Sequence, residues 1–128
     1  MKQLSLLGRV LYAVPFAVFG FLHLNNAAQL ASPQLAIVPH YLPMPTFWVY
    51  LTGICFLLAS IAILFNRYSY IASLLLGIML ILFVLMVHVP QWPASLPFIL
   101  KDTSLAGAAF FIASFARHTR THVEENEL

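Results

Sequence analysis

Charge is what this sequence has least of. Asp, Glu, Lys and Arg make up 8% of its 128 residues, against roughly 25% in soluble domains. A soluble fold of this size would need a polar skin that the chain does not carry. Hydrophobic residues account for 62%, and with lipid as solvent the outer face can be apolar. Cysteine is nearly absent too. The single Cys55 excludes an intrachain disulfide framework and a Cys-x-x-Cys redox pair, so the chain's own thiols are not expected to carry electrons. The net charge is only +2, and the six Lys and Arg residues are scattered, which argues against a nucleic-acid surface. No nucleotide loop, metal motif, activated nucleophile, internal repeat or low-complexity stretch stands out. No catalytic residue is singled out, and whether the chain is an enzyme is left open.

What is present is long apolar runs. A helix rises about 1.5 Å per residue, so a hydrocarbon core of about 30 Å needs roughly 20 apolar residues. Four stretches approach that length, at about 6–24, 46–65, 68–89 and 97–116. The fourth reaches it only by starting at Pro97, a residue suited to a first helical turn. Lys101 and Asp102 then lie inside the span, tolerable if the lysine snorkels and the aspartate finds a partner. The expected fold is therefore all-α, a single membrane domain over 1–128 built as a polytopic four-helix bundle.

The connections agree. Asn66 and Arg67 make a tight turn, Pro90, Pro93 and Pro97 break the chain after the third span, and Trp92 suits the headgroup region. In the longest connection the prolines of VPHYLPMP forbid a continuing helix. The preceding NNAAQLASPQLAIV is expected as a short segment on the membrane surface, and the acidic tail EENEL as frayed. A cleavable signal peptide is the competing reading of the first span, since Lys2 and Arg9 precede an apolar run ending near Ala27 and Ala28. The length of that run favours a retained helix. Lys2, Arg9, Arg67, Arg117 and Arg120 fall on one side of the bundle and Lys101 alone on the other. By the positive-inside rule both termini are expected to be cytoplasmic.

Residues three and four apart share a helix face. Rows of small and polar residues mark a candidate inner face on each span: Arg9, Ala13, Phe16, Gly20, His23; Thr46, Tyr50, Gly53, Leu57, Ser60; Tyr70, Ser73, Gly77, Ile81, Val84, His88; and Asp102, Ala106, Ala109, Ala113, Ala116. Their vertical positions are sharper. His23, Trp48, Tyr50, His88, Lys101 and Asp102 all gather at the non-cytoplasmic end. Interfacial anchoring explains any one of them. As a group, His23, Tyr50, His88, Lys101 and Asp102 form a candidate site, because ionisable groups within spans are usually functional. Histidine titrates near neutral pH, so His23, His88 and Asp102 are suited to hold or pass a proton. Axial haem ligation by His23 and His88 has no further support and is disfavoured. Zinc would need a third ligand such as His40 from the loop, so no metal site is expected. His118 and His122 read as a solvated tail, and Cys55 as a small apolar residue in mid-span.

The run LGRVLYAVPFAVFGFLHL resembles the first helix of the DoxX-like membrane proteins, with its Gly-Arg pair, Phe- and Gly-containing helix and closing basic residue. VPHYLPMPTFWVYLTGI is similar to that family's passage into helix two, and KDTSLAGAAFF to its last helix. Arg9, Gly20, His23, Gly53, Lys101 and Gly107 fall on the family pattern. Many members carry a glutamate shortly after the glycine of helix two, whereas Ile54, Cys55 and Phe56 follow Gly53 here. The resemblance implies a four-helix protein of the bacterial cytoplasmic (inner) membrane. It implies an accessory or anchor role in a redox system, with quinone as the associated cofactor class, or else a non-enzymatic scaffold or assembly factor. The expected partners are the lipid bilayer and a second protein or further copies of this chain, with no nucleic acid.

Overall fold

The computed structural model describes residues 1–35 and 38–128. They form helices α1 (Lys2–Asn25), α2 (Ala27–Leu30), α3 (Pro45–Leu64), α4 (Ser69–Phe83) and α5 (Leu96–Glu127), with no strand among the described residues. A π-helical turn, Val84–His88, and a 3₁₀ turn, Val89–Gln91, prolong α4. Four of these units, Lys2–Asn25, Pro45–Leu64, Ser69–Gln91 and Leu96–Glu127, are long and apolar enough to cross a membrane.

Each boundary has a local cause. Pro45 and Pro97 occupy the first turns of α3 and α5, where a missing N–H costs nothing. The expected Asn66–Arg67 turn is a Schellman cap. Asn66 takes a left-handed φ of 55°, Asn66 N–H donates to Ile63 O at 3.2 Å and Arg67 N–H to Ala62 O at 3.0 Å, which satisfies the last carbonyls of α3. In an uninterrupted α-helix Pro90 would clash with the carbonyl four residues back; the π turn stands where that clash would fall. The chain from Val38 to Met44 is non-helical, as its prolines require. Within NNAAQLASPQLAIV the structure forms α2, while Ala36 and Ile37 lie outside the described residues. The acidic tail differs from expectation: α5 continues to Glu127, because nothing after Pro97 interrupts it and Arg and Glu favour helix.

The bundle is two intimate pairs, α1 with α3 and α4 with α5, joined by a lighter α3–α4 seam. Glycine sets both close crossings. A Cβ on Gly20 would stand 2.8 Å from Gly53 O, and one on Gly77 would stand 2.6 Å from the Phe110 ring. The core comprises Ala13, Phe16, Phe56, Ala59, Ile63, Leu76, Leu80 and Ala106. Through it run aromatic rings: Tyr12 to Phe16 at 5.1 Å and Phe16 to Phe56 at 5.4 Å, both tilted, and Phe56 to Phe83 at 6.2 Å, edge-on, the last a geometry that the ring quadrupole favours.

The inner rows on α1, α4 and α5 hold, with Ala13, Phe16, Gly20, Ser73, Gly77, Val84, Asp102, Ala106, Ala109 and Ala113 all buried. On α3 the face is rotated from the expected row. Val49, Gly53, Phe56, Ala59, Ser60 and Ile63 are buried, whereas Thr46 and Tyr50 are exposed. A polar residue in the first two turns of a membrane helix reaches the headgroup layer, so it need not face inward.

Candidate functional site

The antiparallel arrangement brings the last turns of α1 and of the α4 extension together with the first turns of α3 and α5. At this end the π turn delivers His88 opposite the second turn of α5, where Asp102 is buried. Their side chains meet directly: His88 Nε2–H donates to Asp102 Oδ2 at 2.8 Å. The other carboxylate oxygen, Oδ1, lies 3.3 Å from the ammonium of Lys101. The carboxylate is thus shared by one partner from each of two elements. A carboxylate in an apolar bundle is stable only when paired in this manner.

Aromatic rings complete the cluster. The His88 imidazole stacks on Phe98 at 5.7 Å with planes 23° apart. Lys101 Nζ lies 5.6 Å from the Phe98 centroid and 5.8 Å from that of Phe19 on α1, within cation–π range. Ser95, buried at the start of α5, donates its hydroxyl to the carbonyl of His88, while its own carbonyl accepts from Phe98 N–H and Ile99 N–H. His88 is therefore tied to α5 by both side chain and main chain. Lys101 is half exposed, so the cluster opens outward at the ammonium and is closed at the carboxylate.

Its chemistry follows from which atoms are committed. With Nε2–H given to Asp102, the opposite nitrogen of a neutral His88 is a lone-pair acceptor. A proton taken there leaves an imidazolium held by the carboxylate, the logic of an oriented histidine–aspartate pair. Lys101 offers N–H donors on the other side of the shared carboxylate. One edge of the cluster thus accepts a hydrogen and the other donates one, above a floor of flat rings.

Of the residues expected together, His88, Lys101 and Asp102 meet. His23 stands beside the cluster: its Nδ1–H donates to Phe19 O at 2.7 Å and its ring meets Phe56 edge-on at 5.4 Å. Phe19 links the two, carrying His23's hydrogen bond on its carbonyl and facing Lys101 with its ring. Tyr50 is 45% exposed on the outer side of α3 and does not join. Trp48 donates Nε1–H to Pro43 O at 2.9 Å, fastening the long loop to α3. Ser95, Phe98 and Phe19 were not expected. Ser95 had a sequence signal, a helix-capping residue two places before Pro97; the two phenylalanines had none. Among the described residues no group of three or more His, Cys, Asp or Glu surrounds a common point.

The family model described as DoxX matches residues 4–89, about two thirds of the chain. The matched stretch includes His23 and His88 and ends before Lys101 and Asp102. No curated protein and no solved structure matches the chain.

Proposed function

Since the chain belongs to the DoxX family and is thereby, with its four apolar helices, an integral membrane protein, we propose that it is an accessory or anchor subunit of a quinone-linked redox system. The observation that carries this reading is the buried Asp102 carboxylate shared by His88 and Lys101. A quinone is a flat ring with carbonyl oxygens, dissolved in the bilayer. Lys101 donates to one such oxygen, the free nitrogen of His88 accepts from the hydroxyl of the reduced form, and Phe98 and Phe19 flank the ring. The host is the bacterial cytoplasmic membrane, with both termini cytoplasmic and the His88 cluster at the opposite face, following the five-to-one distribution of Lys and Arg. The test is binding of a short-chain quinone to protein reconstituted in lipid. Saturable binding that falls at least tenfold on His88→Ala is expected; uptake no greater than that of protein-free lipid sinks the reading.

A non-enzymatic scaffold is the second reading. It is favoured by the exposed Tyr41, Met44, Phe47 and Trp92 around the same end, a surface for a partner's membrane segment. Crosslinking from residue 41 or 44 in native membranes would then trap one defined protein. Under the first reading the purified chain binds quinone by itself.

A further inference from the structure

We propose that the end of α5 carries a binding site for a divalent transition-metal ion, chelated by the Nε2 atoms of His118 and His122. It stands apart from the His88 cluster, at the opposite end of the bundle, and does not depend on the quinone reading. At about 1.5 Å per residue His118 lies about 33 Å along the axis from Leu96, past a hydrocarbon layer of about 30 Å. Both rings are thus in the aqueous boundary, where ions reach them.

The two residues are one helical turn apart and share a face. Their rings meet edge to face at 4.7 Å, and the two Nε2 atoms are 3.2 Å apart. Two bare lone pairs would repel at that distance, so one ring holds an N–H that donates to the other. A cation can take the place of that proton. Metal–nitrogen bonds of about 2.0–2.1 Å at angles between square and tetrahedral put two nitrogens about 2.9–3.4 Å apart, a range that contains the observed spacing. Small ring rotations suffice to turn both lone pairs toward one ion.

A carboxylate stands behind the pair, exposed and beyond hydrogen-bond distance. Glu125 Oε2 lies 3.8 Å from His122 Nδ1, the nitrogen on the far side of the ring from His118. A carboxylate in that position favours Nδ1–H and leaves Nε2 as the metal-facing lone pair, the arrangement commonly found behind metal-bound histidines. Arg117, beside His118, has its guanidinium over Tyr70 at 5.9 Å, drawn toward α4, and Arg120, midway between the histidines in sequence, falls on the opposite face of the helix. With no third protein ligand around the point among the described residues, water fills the remaining positions. Such a site is open and exchangeable, unlike a closed structural zinc centre, and binding displaces one proton. Affinity is expected to follow Ni²⁺ below Cu²⁺ and Cu²⁺ above Zn²⁺.

The full chain, purified without a histidine tag in detergent, is titrated with Cu²⁺ and followed by electron paramagnetic resonance; Zn²⁺ and Ni²⁺ are then added as competitors. One ion per chain with nitrogen coupling is expected. His118→Ala and His122→Ala each weaken binding at least tenfold, Glu125→Gln weakens it severalfold, and His40→Ala leaves it unchanged. These tail positions are exposed, so thermal melting should not move. Absence of uptake by the wild-type chain, equal uptake by the His118→Ala/His122→Ala double variant, or loss on His40→Ala overturns the proposal.

Discussion

Asp102 shares its buried carboxylate unequally. His88 is 19% exposed at the side chain and Lys101 50%, so water screens the lysine's contribution more than the histidine's. A hydrogen bond to a charged group contributes about 2 kcal/mol, a half-exposed ion pair about 1 kcal/mol or less. His88→Ala should therefore lower stability in detergent by about 2 kcal/mol and Lys101→Ala by less than half of that, read from thermal unfolding. An equal loss for both would mean that exposure does not weaken the lysine's share. Ser73 gives the opposite sign. It is fully buried, and its hydroxyl, like that of Ser69, has no hydrogen-bond partner among the described residues. Removing an unsatisfied buried hydroxyl is neutral or favourable, so Ser73→Ala should hold or raise the melting temperature. A clear fall would mean that the hydroxyl has a partner in the membrane.

At the scale of helices, the two glycine crossings separate steric need from mere frequency. Gly20→Ala drives a methyl against the backbone oxygen of Gly53, which no side-chain rotation relieves; a loss of about 1–3 kcal/mol is expected. A methyl on Gly107 meets nothing within 4 Å, and Gly107→Ala should be neutral or stabilising by up to about 1 kcal/mol. Paired melting curves decide it: equal effects would remove the crossing at Gly20. The same contrast explains what the sequence disclosed. Small residues at helical spacing announced the inner faces of α1, α4 and α5 because large aliphatics surround them. On α3 the inward Val49, Phe56 and Ile63 are as apolar as residues facing lipid, so hydropathy could not rank the faces and the polar Thr46 and Tyr50 misled. The gathering of His88, Lys101 and Asp102 was legible from depth alone. Their contacts were not: Pro90 marked a break near His88 but not its form as a π turn, and the reach of Ser95 back to the His88 carbonyl depends on tertiary fit.

For the whole molecule, the proposed orientation makes a direct prediction. With Cys55 replaced by Ala, a single cysteine at position 67 should react with an impermeant thiol reagent only from the cytoplasmic side, and one at position 93 only from the other. Labelling of both from one face would remove the four-span arrangement.

Tyr12, on the first helix, donates its hydroxyl at 2.7 Å to the carbonyl of Leu105, ninety-three residues later. A chain made and inserted from its N-terminus must hold that phenol without its final acceptor until the last helix arrives. Closure of the bundle is therefore deferred to the end of synthesis. Tyr12→Phe should leave insertion of the early helices untouched and loosen only the finished product.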